Sequence, residues 1–261
     1  MQSAPTIDLN ADLGESYGNW RIGDDAGMLS VVTSANIACG FHAGDPLTLA
    51  RACALAAERG VTIGAQVGYN HLPGFGRWRI DMPTPELTAD VIYQIGALDG
   101  LARVAGTRVA YVKPHGALYN TAAVDERQAQ AVVDAVAAYD SSLPILGLPD
   151  SVLLRCAEAA GLRTIREAFA DRAYRRTGRL VARHKPGAFI TDDDAVAARV
   201  VRLVREGVVT TRTGREVAIE ADSVCLHSDT PGAVDKAYAV RTALENAGVV
   251  LAPVVPPPAL G

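Results

Sequence analysis

The 261-residue chain contains no G-x-x-x-x-G-K-[S/T] and no G-x-G-x-x-G. Both standard glycine-rich phosphate loops are therefore missing, and any nucleotide must be held in another way. No apolar run approaches the roughly 18 residues of a membrane span, so no membrane association is expected. The four cysteines, Cys39, Cys53, Cys156 and Cys225, form no C-x-x-C pair, which excludes a zinc ribbon or a dithiol redox motif and leaves reduced, mostly buried thiols. Residues Met1 to Thr6 lack a basic stretch followed by an apolar core, so no secretion signal is read there and the cytoplasm is the expected location. Lys and Arg are scattered along the chain, the net charge is −4, and no electrostatic footprint for nucleic acid emerges. A small-molecule partner is expected instead.

What the chain does contain is alternation. Short β-branched or apolar runs begin at Thr6–Leu9, Ser34–Ile37, Val61–Ala65, Val109–Lys113, Ile145–Leu148, Leu162–Arg166 and Ser223–Leu226. Ala-rich segments of helical period separate them, the pattern of a parallel sheet covered by helices. A length near 250 residues suits a single α/β barrel of this kind. Asp45-Pro46 and Thr84-Pro85 read as a capping side chain followed by proline in the first helical turn, and Asp125 and the Asp192–Asp194 run also suit helix starts. Gly60, Gly106, Gly161, Gly207 and Gly248 follow helical runs and suit left-handed helix ends. Residues 208–211 and 216–219, joined across Gly214, predict a β-hairpin appended to the barrel. The expected division is a barrel over residues 1–252 and an extended, proline-rich tail over 253–261.

Polar residues gather where the strands end: Asn10, Asp12 and Glu15; Cys39, His42 and Asp45; Gln66, Asn70 and His71; Lys113 and His115; Glu167, Asp171 and Arg172; His227 and Asp229. In a barrel these ends share one face, where active sites are built. Carboxylates beside histidines suit acid–base work or metal binding, and a lysine at a strand end suits an oxyanion or phosphate. Asp45 reads as a helix cap whatever else it does, and His184, between Arg183 and Lys185, reads as solvated surface. Gly14–Gly18 formally matches G-x-S-x-G, but a nucleophile elbow needs several framing strands and only one precedes Ser16.

Five stretches, in order, resemble the LamB/YcsF family: DLNADLGE from Asp8, SANIACGFHAGD from Ser34, VKPHGALYN from Val112, EAFADRAY from Glu167 and CLHSDTP from Cys225. The resemblance implies a TIM-like, seven-stranded barrel of the glycoside hydrolase/deacetylase type. It also implies ATP-dependent 5-oxoprolinase activity, the opening of the cyclic amide 5-oxo-L-proline to L-glutamate together with separate B and C subunits. Asp12, His42, Lys113 and His115 are then the expected catalytic residues. Asp12 or His42 would activate water, and Lys113 with His115 would stabilise negative charge. Asn10, Glu15, Asn36, Asp45, Arg172, His227 and Asp229 are the expected substrate-binding residues, with Arg172 on a carboxylate or phosphate. ATP is the implied cofactor, held by this chain or through its partner subunits. A divalent metal on His42, Asp12 and His115 stays open. One departure is informative: the family's Gly-Ala-His-Pro after the third strand is here Gly64-Ala65-Gln66-Val67, and a neutral amide cannot act as imidazole does. His71 is a candidate replacement. The alternatives are a stand-alone metal-dependent deacetylase or hydrolase and a non-catalytic binding subunit.

Overall fold

The computed structural model describes residues 4–257. Six strands, β1 (Thr6–Leu13), β2 (Ser34–Ala38), β3 (Thr62–Val67), β4 (Val109–Pro114), β5 (Ile145–Gly147) and β6 (Thr164–Phe169), follow one another in sequence. A detached antiparallel hairpin follows, made of β7 (Val208–Thr210) and β8 (Glu216–Ala218), and then β9 (Ser223–Leu226). Strands β1 to β6 and β9 are parallel and each pairs with the next. The ring closes where β9 returns to β1, with Leu9 opposite Val224. This is the seven-stranded α/β barrel expected from the sequence, and the hairpin stands where residues 208–219 predict it. A short extra strand, β10 (Val250–Leu251), which the sequence pattern does not announce, pairs with the first residues of β1.

Among the described residues, eight helices surround the ring: α1 (Asp25–Leu29), α2 (Pro46–Glu58), α3 (Thr84–Val104), α4 (Gly116–Ala122), α5 (Glu126–Asp140), α6 (Val152–Ala159), α7 (Asp193–Glu206) and α8 (Ala233–Asn246). Their starts follow the sequence signals closely. The Asp45 carboxylate accepts from the amides of Leu47 and Thr48, Asp125 from Gln128, and Asp192 from Ala195. Each satisfies an orphan donor, worth about 1 kcal/mol. The start at Thr84 differs from the expected one. Thr84 is itself the first helical residue, Pro83 takes the cap position, and its side chain can offer the end no hydrogen bond.

The barrel interior is unusual for its polarity. Leu9, Ala11 and Leu13 of β1 are buried against the helices, while Asp8, Asn10 and Asp12 alternate with them and point inward. Ordinary barrels fill this space with Val, Ile and Leu. Here the polar atoms saturate one another in layers. Lowest is Asp8, whose carboxylate accepts from the hydroxyls of Thr33, Ser34 and Ser223. Above it, Asn36 donates to Asn10 (2.7 Å) and to Asp12 (2.9 Å), and the Tyr111 hydroxyl donates to Asn36 (2.7 Å). Gly64 makes room for Tyr111, since a Cβ there would lie 2.2 Å from the ring.

The lower end of the barrel is covered by the residues after Leu251. They form neither helix nor strand, as their prolines require, yet Val254 and Val255 pack on Ala110, Tyr111, Leu146 and Ile165. Thr62 donates its hydroxyl to the Val255 carbonyl at 2.8 Å. The rest of the expected tail, residues 258–261, lies outside the described residues.

Candidate active site

At the upper end, Asn10, Asp12, Gln66, Lys113 and Glu167 sit within the strands rather than after them. Lys113 is the hub. Its ammonium donates to Glu167 Oε1 at 2.6 Å, Asp12 Oδ1 at 3.0 Å, Cys225 Sγ at 3.3 Å and Asn10 Oδ1 at 3.4 Å. Tyr119 donates to the other Glu167 oxygen at 2.8 Å. Burial opposes a charge on Lys113, but Asp12 and Glu167 outweigh it and hold the ammonium well above its usual pKa. Burial likewise raises Asp12, yet the Lys113 charge wins and keeps that carboxylate below its usual range. Asp12 is thus ionised, oriented by Asn36 and Lys113, and still 16% open to solvent.

Glu15, His42 and His115 form a second cluster. Their ligand atoms all lie within 4.8 Å of one another, and the two imidazoles stack with centroids 3.8 Å apart. His115 Nε2 faces the Phe75 carbonyl at 3.0 Å and acts as donor there, which leaves the Nδ1 lone pair facing Glu15 Oε1 at 3.7 Å. His42 Nε2 is 3.8 Å from the same oxygen. Burial pushes His42 down to about 4, and burial with the His42 ring next to it pushes His115 well down, so both are neutral near pH 7. Burial and the nearby Asp12 raise Glu15.

The donor set of one carboxylate and two neutral imidazoles suits a borderline divalent cation such as zinc. Among the described residues, Glu15 Oε1 and both His42 nitrogens are buried without hydrogen-bond partners, as open ligand positions are. The residues present therefore fit such an ion. Glu15, rather than Asp12, completes the trio, because Asp12 is already committed to Lys113 and Asn36. Gln66 lies opposite Lys113 in the ladder, and its amide is also buried and unpartnered.

A third group faces these two. His227 donates from Nδ1 to Asp171 at 2.7 Å, and its Nε2 accepts from Arg183 at 2.7 Å. Despite burial, the His227 ring holds Asp171 below its usual range. The ring stacks on Phe169, whose edge meets Tyr119. Asp229 pairs with Arg77 at 2.9 Å at the rim.

The other residues singled out in the sequence fall elsewhere. Asn10 and Asn36 are fully buried beneath Asp12 and serve it. Asp45 caps α2 and also accepts from the Gly18 amide, which ties down the loop after β1. His71 caps the turn at Leu72–Gly74 and stacks on Trp78, so it does not replace an imidazole in the cluster. Ser16 exchanges hydrogen bonds with Ile22, as a loop residue and not a nucleophile. Arg172 lies over the Phe189 ring, which also meets His227 edge-on. Arginines scattered in sequence converge in space beside it.

Residues 7–258 match the LamB/YcsF family. The chain belongs to this family. Among LamB/YcsF relatives, a Streptomyces avermitilis protein named as the A subunit of 5-oxoprolinase is 61% identical over 94% of this chain and 98% of its own length. A solved structure, the lactam utilization protein from Thermus thermophilus, is 46% identical and superposes with a TM-score of 0.90, covering 95% of this chain and 99% of that one. A peptidoglycan N-acetylglucosamine deacetylase shares the fold at 12% identity and a TM-score of 0.50, over 95% of this chain and 86% of that one. The expected barrel type is thereby met.

Proposed function

We propose that this chain is the A subunit of an ATP-dependent 5-oxoprolinase, acting in the cytoplasm with B and C subunits to open 5-oxo-L-proline to L-glutamate. The observation that carries this reading is the ionised Asp12, held on Lys113 and Asn36 beside the His227–Asp171 pair, in a chain that spans 98% of a relative named for the same enzyme.

A five-membered lactam is a stable amide, and phosphorylation of its oxygen at the expense of ATP makes the carbon a better electrophile. Ring opening then adds water to that carbon, breaks the C–N bond with return of a proton to the departing nitrogen, and leaves an acyl phosphate that a second water hydrolyses to L-glutamate and inorganic phosphate. Asp12 takes the proton from water, because Lys113 keeps it ionised and part of it is open to solvent. Asp12 then returns that proton to the ring nitrogen, and His227, held between Asp171 and Arg183, fixes the facing side of the site. Lys113 balances the negative charge of Asp12 and Glu167 throughout.

Glu15, His42 and His115 would hold a divalent cation. Such an ion, when bound, polarises a carbonyl and lowers the pKa of water. That trio favours a second reading, a metal-dependent amide hydrolase that works alone.

Glutamate release from 5-oxo-L-proline and ATP, measured with and without competent B and C subunits, tests the first reading. Release in the full mixture alone supports it, and no release there refutes it. Zinc added to chelator-stripped protein should raise the melting temperature of the natural chain and not of Glu15→Gln. An equal rise in both would remove the trio as a metal site.

A further inference from the structure

A cavity of about 1190 Å³ lies between the start of α4 and the long loop after β6. Eight arginines line it, against two acidic residues, Asp150 and Glu220. A concave surface of one sign focuses a positive potential. Some of these cations are already neutralised: Arg77 by Asp229, Arg79 by Asp125 and Arg166 by Asp222. Arg172, Arg175, Arg176, Arg179 and Arg183 make no ion pair among the described residues.

Arg172 is the decisive member. It is 5% exposed, one of its NH₂ groups donates to the Val181 carbonyl at 2.6 Å, and its Nε is buried with no partner among the described residues. Arg172 and Arg183 both lie over the Phe189 ring, at 4.9 and 5.3 Å. Burial, and then Arg183, push Arg172 down to about 10. A buried guanidinium next to another, with neither in an ion pair among the described residues, is a destabilising arrangement that an anion would complete. The inner end of the cavity also touches the proposed chemistry, because Arg183 donates to His227 Nε2.

We propose that this cleft binds a phosphate-bearing anion, with Arg172 and Arg183 as its inner contacts and Arg175, Arg176 and Arg179 as its outer ones. The planar guanidinium matches phosphate oxygens in pairs. Five unpaired arginines and a cavity of this size exceed what one carboxylate on a five-membered ring requires. The chain also has no glycine-rich phosphate loop, so a guanidinium cradle is the means it does possess. The anion site rests on the cleft alone, while the role of its ligand rests on the ring-opening reading. The phosphate belongs either to the tail of a nucleoside triphosphate or to a phosphoryl group carried on a small substrate.

Calorimetric titration of the full chain with ATP, inorganic triphosphate and inorganic phosphate, at low and high salt, tests the proposal. Saturable binding is expected, weakened by salt and reduced about tenfold or more in the Arg175→Gln/Arg176→Gln variant, whose exposed positions do not threaten folding. Arg172→Met should reduce it further, and Arg51→Gln, on the exposed face of α2, should leave it unchanged. Equal binding of ATP and triphosphate identifies a nucleotide tail, and binding of inorganic phosphate with exclusion of ATP identifies a single phosphoryl group. No binding of any of the three, or affinity equal to the natural chain's in both the double variant and Arg172→Met, overturns the site. Glutamate release on the same preparations separates the two ideas. Release without anion binding removes the cleft and leaves the ring-opening reading intact, whereas anion binding without release by competent partners removes that reading and leaves the cleft.

Discussion

Replacing Lys113 with methionine keeps an unbranched side chain one atom shorter and removes the charge. In the natural chain the ammonium sits 2.6 Å from Glu167 and 3.0 Å from Asp12, with Glu167 fully buried. Breaking a buried pair on one side leaves an uncompensated charge, a loss of about 3–5 kcal/mol. The partial exposure of Asp12 draws the expected value to the lower end, about 3 kcal/mol. The loss also has a definite pH dependence. With Lys113 present, the folded pKa of Asp12 is depressed, so its contribution is complete above the unfolded value near 4 and is lost as pH falls below it. Without Lys113, two carboxylates face each other with no cation, and the folded protein takes up a proton that the unfolded chain does not hold. The variant therefore regains stability relative to the natural chain as pH falls, and the gap should be widest near about pH 8 and narrower near about pH 5. Urea unfolding followed by circular dichroism at both values measures it. Adding Glu167→Gln to Lys113→Met should restore about 1–2 kcal/mol at the higher pH, a coupling that independent sites would not show. Ring opening should be lost in both variants. A folded Lys113→Met with the midpoint of the natural chain, or with the same deficit at both pH values, would refute the charge compensation and with it the account of Asp12 as an ionised base.

Three further outcomes follow from single contacts. His42 is held neutral at about 4 while the unfolded chain titrates near 6.5. Stability should be full above that upper value and fall by about 3 kcal/mol as pH drops toward 4, and a melting temperature that stays flat between these limits in chelator would contradict the burial of a neutral ring. Gly64→Ala drives a methyl to 2.2 Å from the Tyr111 ring, which Asn36 holds in place; overpacking of this kind costs about 1–3 kcal/mol, and an unchanged urea midpoint would mean the ring is free to move. Val255→Asp puts a charge against Tyr111, Leu146 and Ile165 at the lower end of the barrel. A loss of about 1–2 kcal/mol is expected, and none would show that the tail does not close the barrel.

The seven barrel strands, the hairpin, three of the four marked helix starts and the glycine-ended helices are legible in the sequence because each rests on a local rule of period, cap or backbone sign. The strand ends are not. Asn10, Asp12, Gln66 and Glu167 read as loop residues because they are polar, whereas the barrel turns them inward, where Lys113 and its neighbours satisfy most of them. The signal is present in Asp8-Leu9-Asn10-Ala11-Asp12-Leu13, a strict alternation that marks one strand with a polar face. Glu167 and Tyr119 draw no role from the sequence for a different reason. Their meaning depends on contacts across the barrel: Glu167 accepts from Lys113, 54 positions away, and from Tyr119, 48 positions away. The arginine cleft is half visible, since residues 172–183 carry five arginines in twelve positions, but sequence cannot show that Arg77, Arg79 and Arg166 join them.

The distribution of satisfied and unsatisfied atoms separates what holds this barrel together from what it is arranged to do. Buried polar groups are tolerated when each has a partner, and the lower layers meet that condition: Asp8, Asn10, Asn36 and Ser223 all spend their hydrogen-bonding capacity on one another and on their neighbours. Eight buried side-chain atoms among the described residues have no partner, and five of them belong to Glu15, His42 and Gln66 at the upper end. A sixth is Nε of Arg172 in the cleft. An unpaired buried donor or acceptor costs about 1–3 kcal/mol, so a set concentrated at one mouth is a cost that folding alone does not explain. A ligand that supplies the missing partners would remove it, and the chemistry of the orphans describes that ligand. Neutral imidazoles with a carboxylate ask for a cation, a carboxamide asks for a group with both donor and acceptor, and a guanidinium asks for an anion. An amide substrate carrying a phosphate, approaching a bound metal, would satisfy all three at once. Loss of any one set of partners should then weaken binding of the others, because each group orders the mouth that the next one enters.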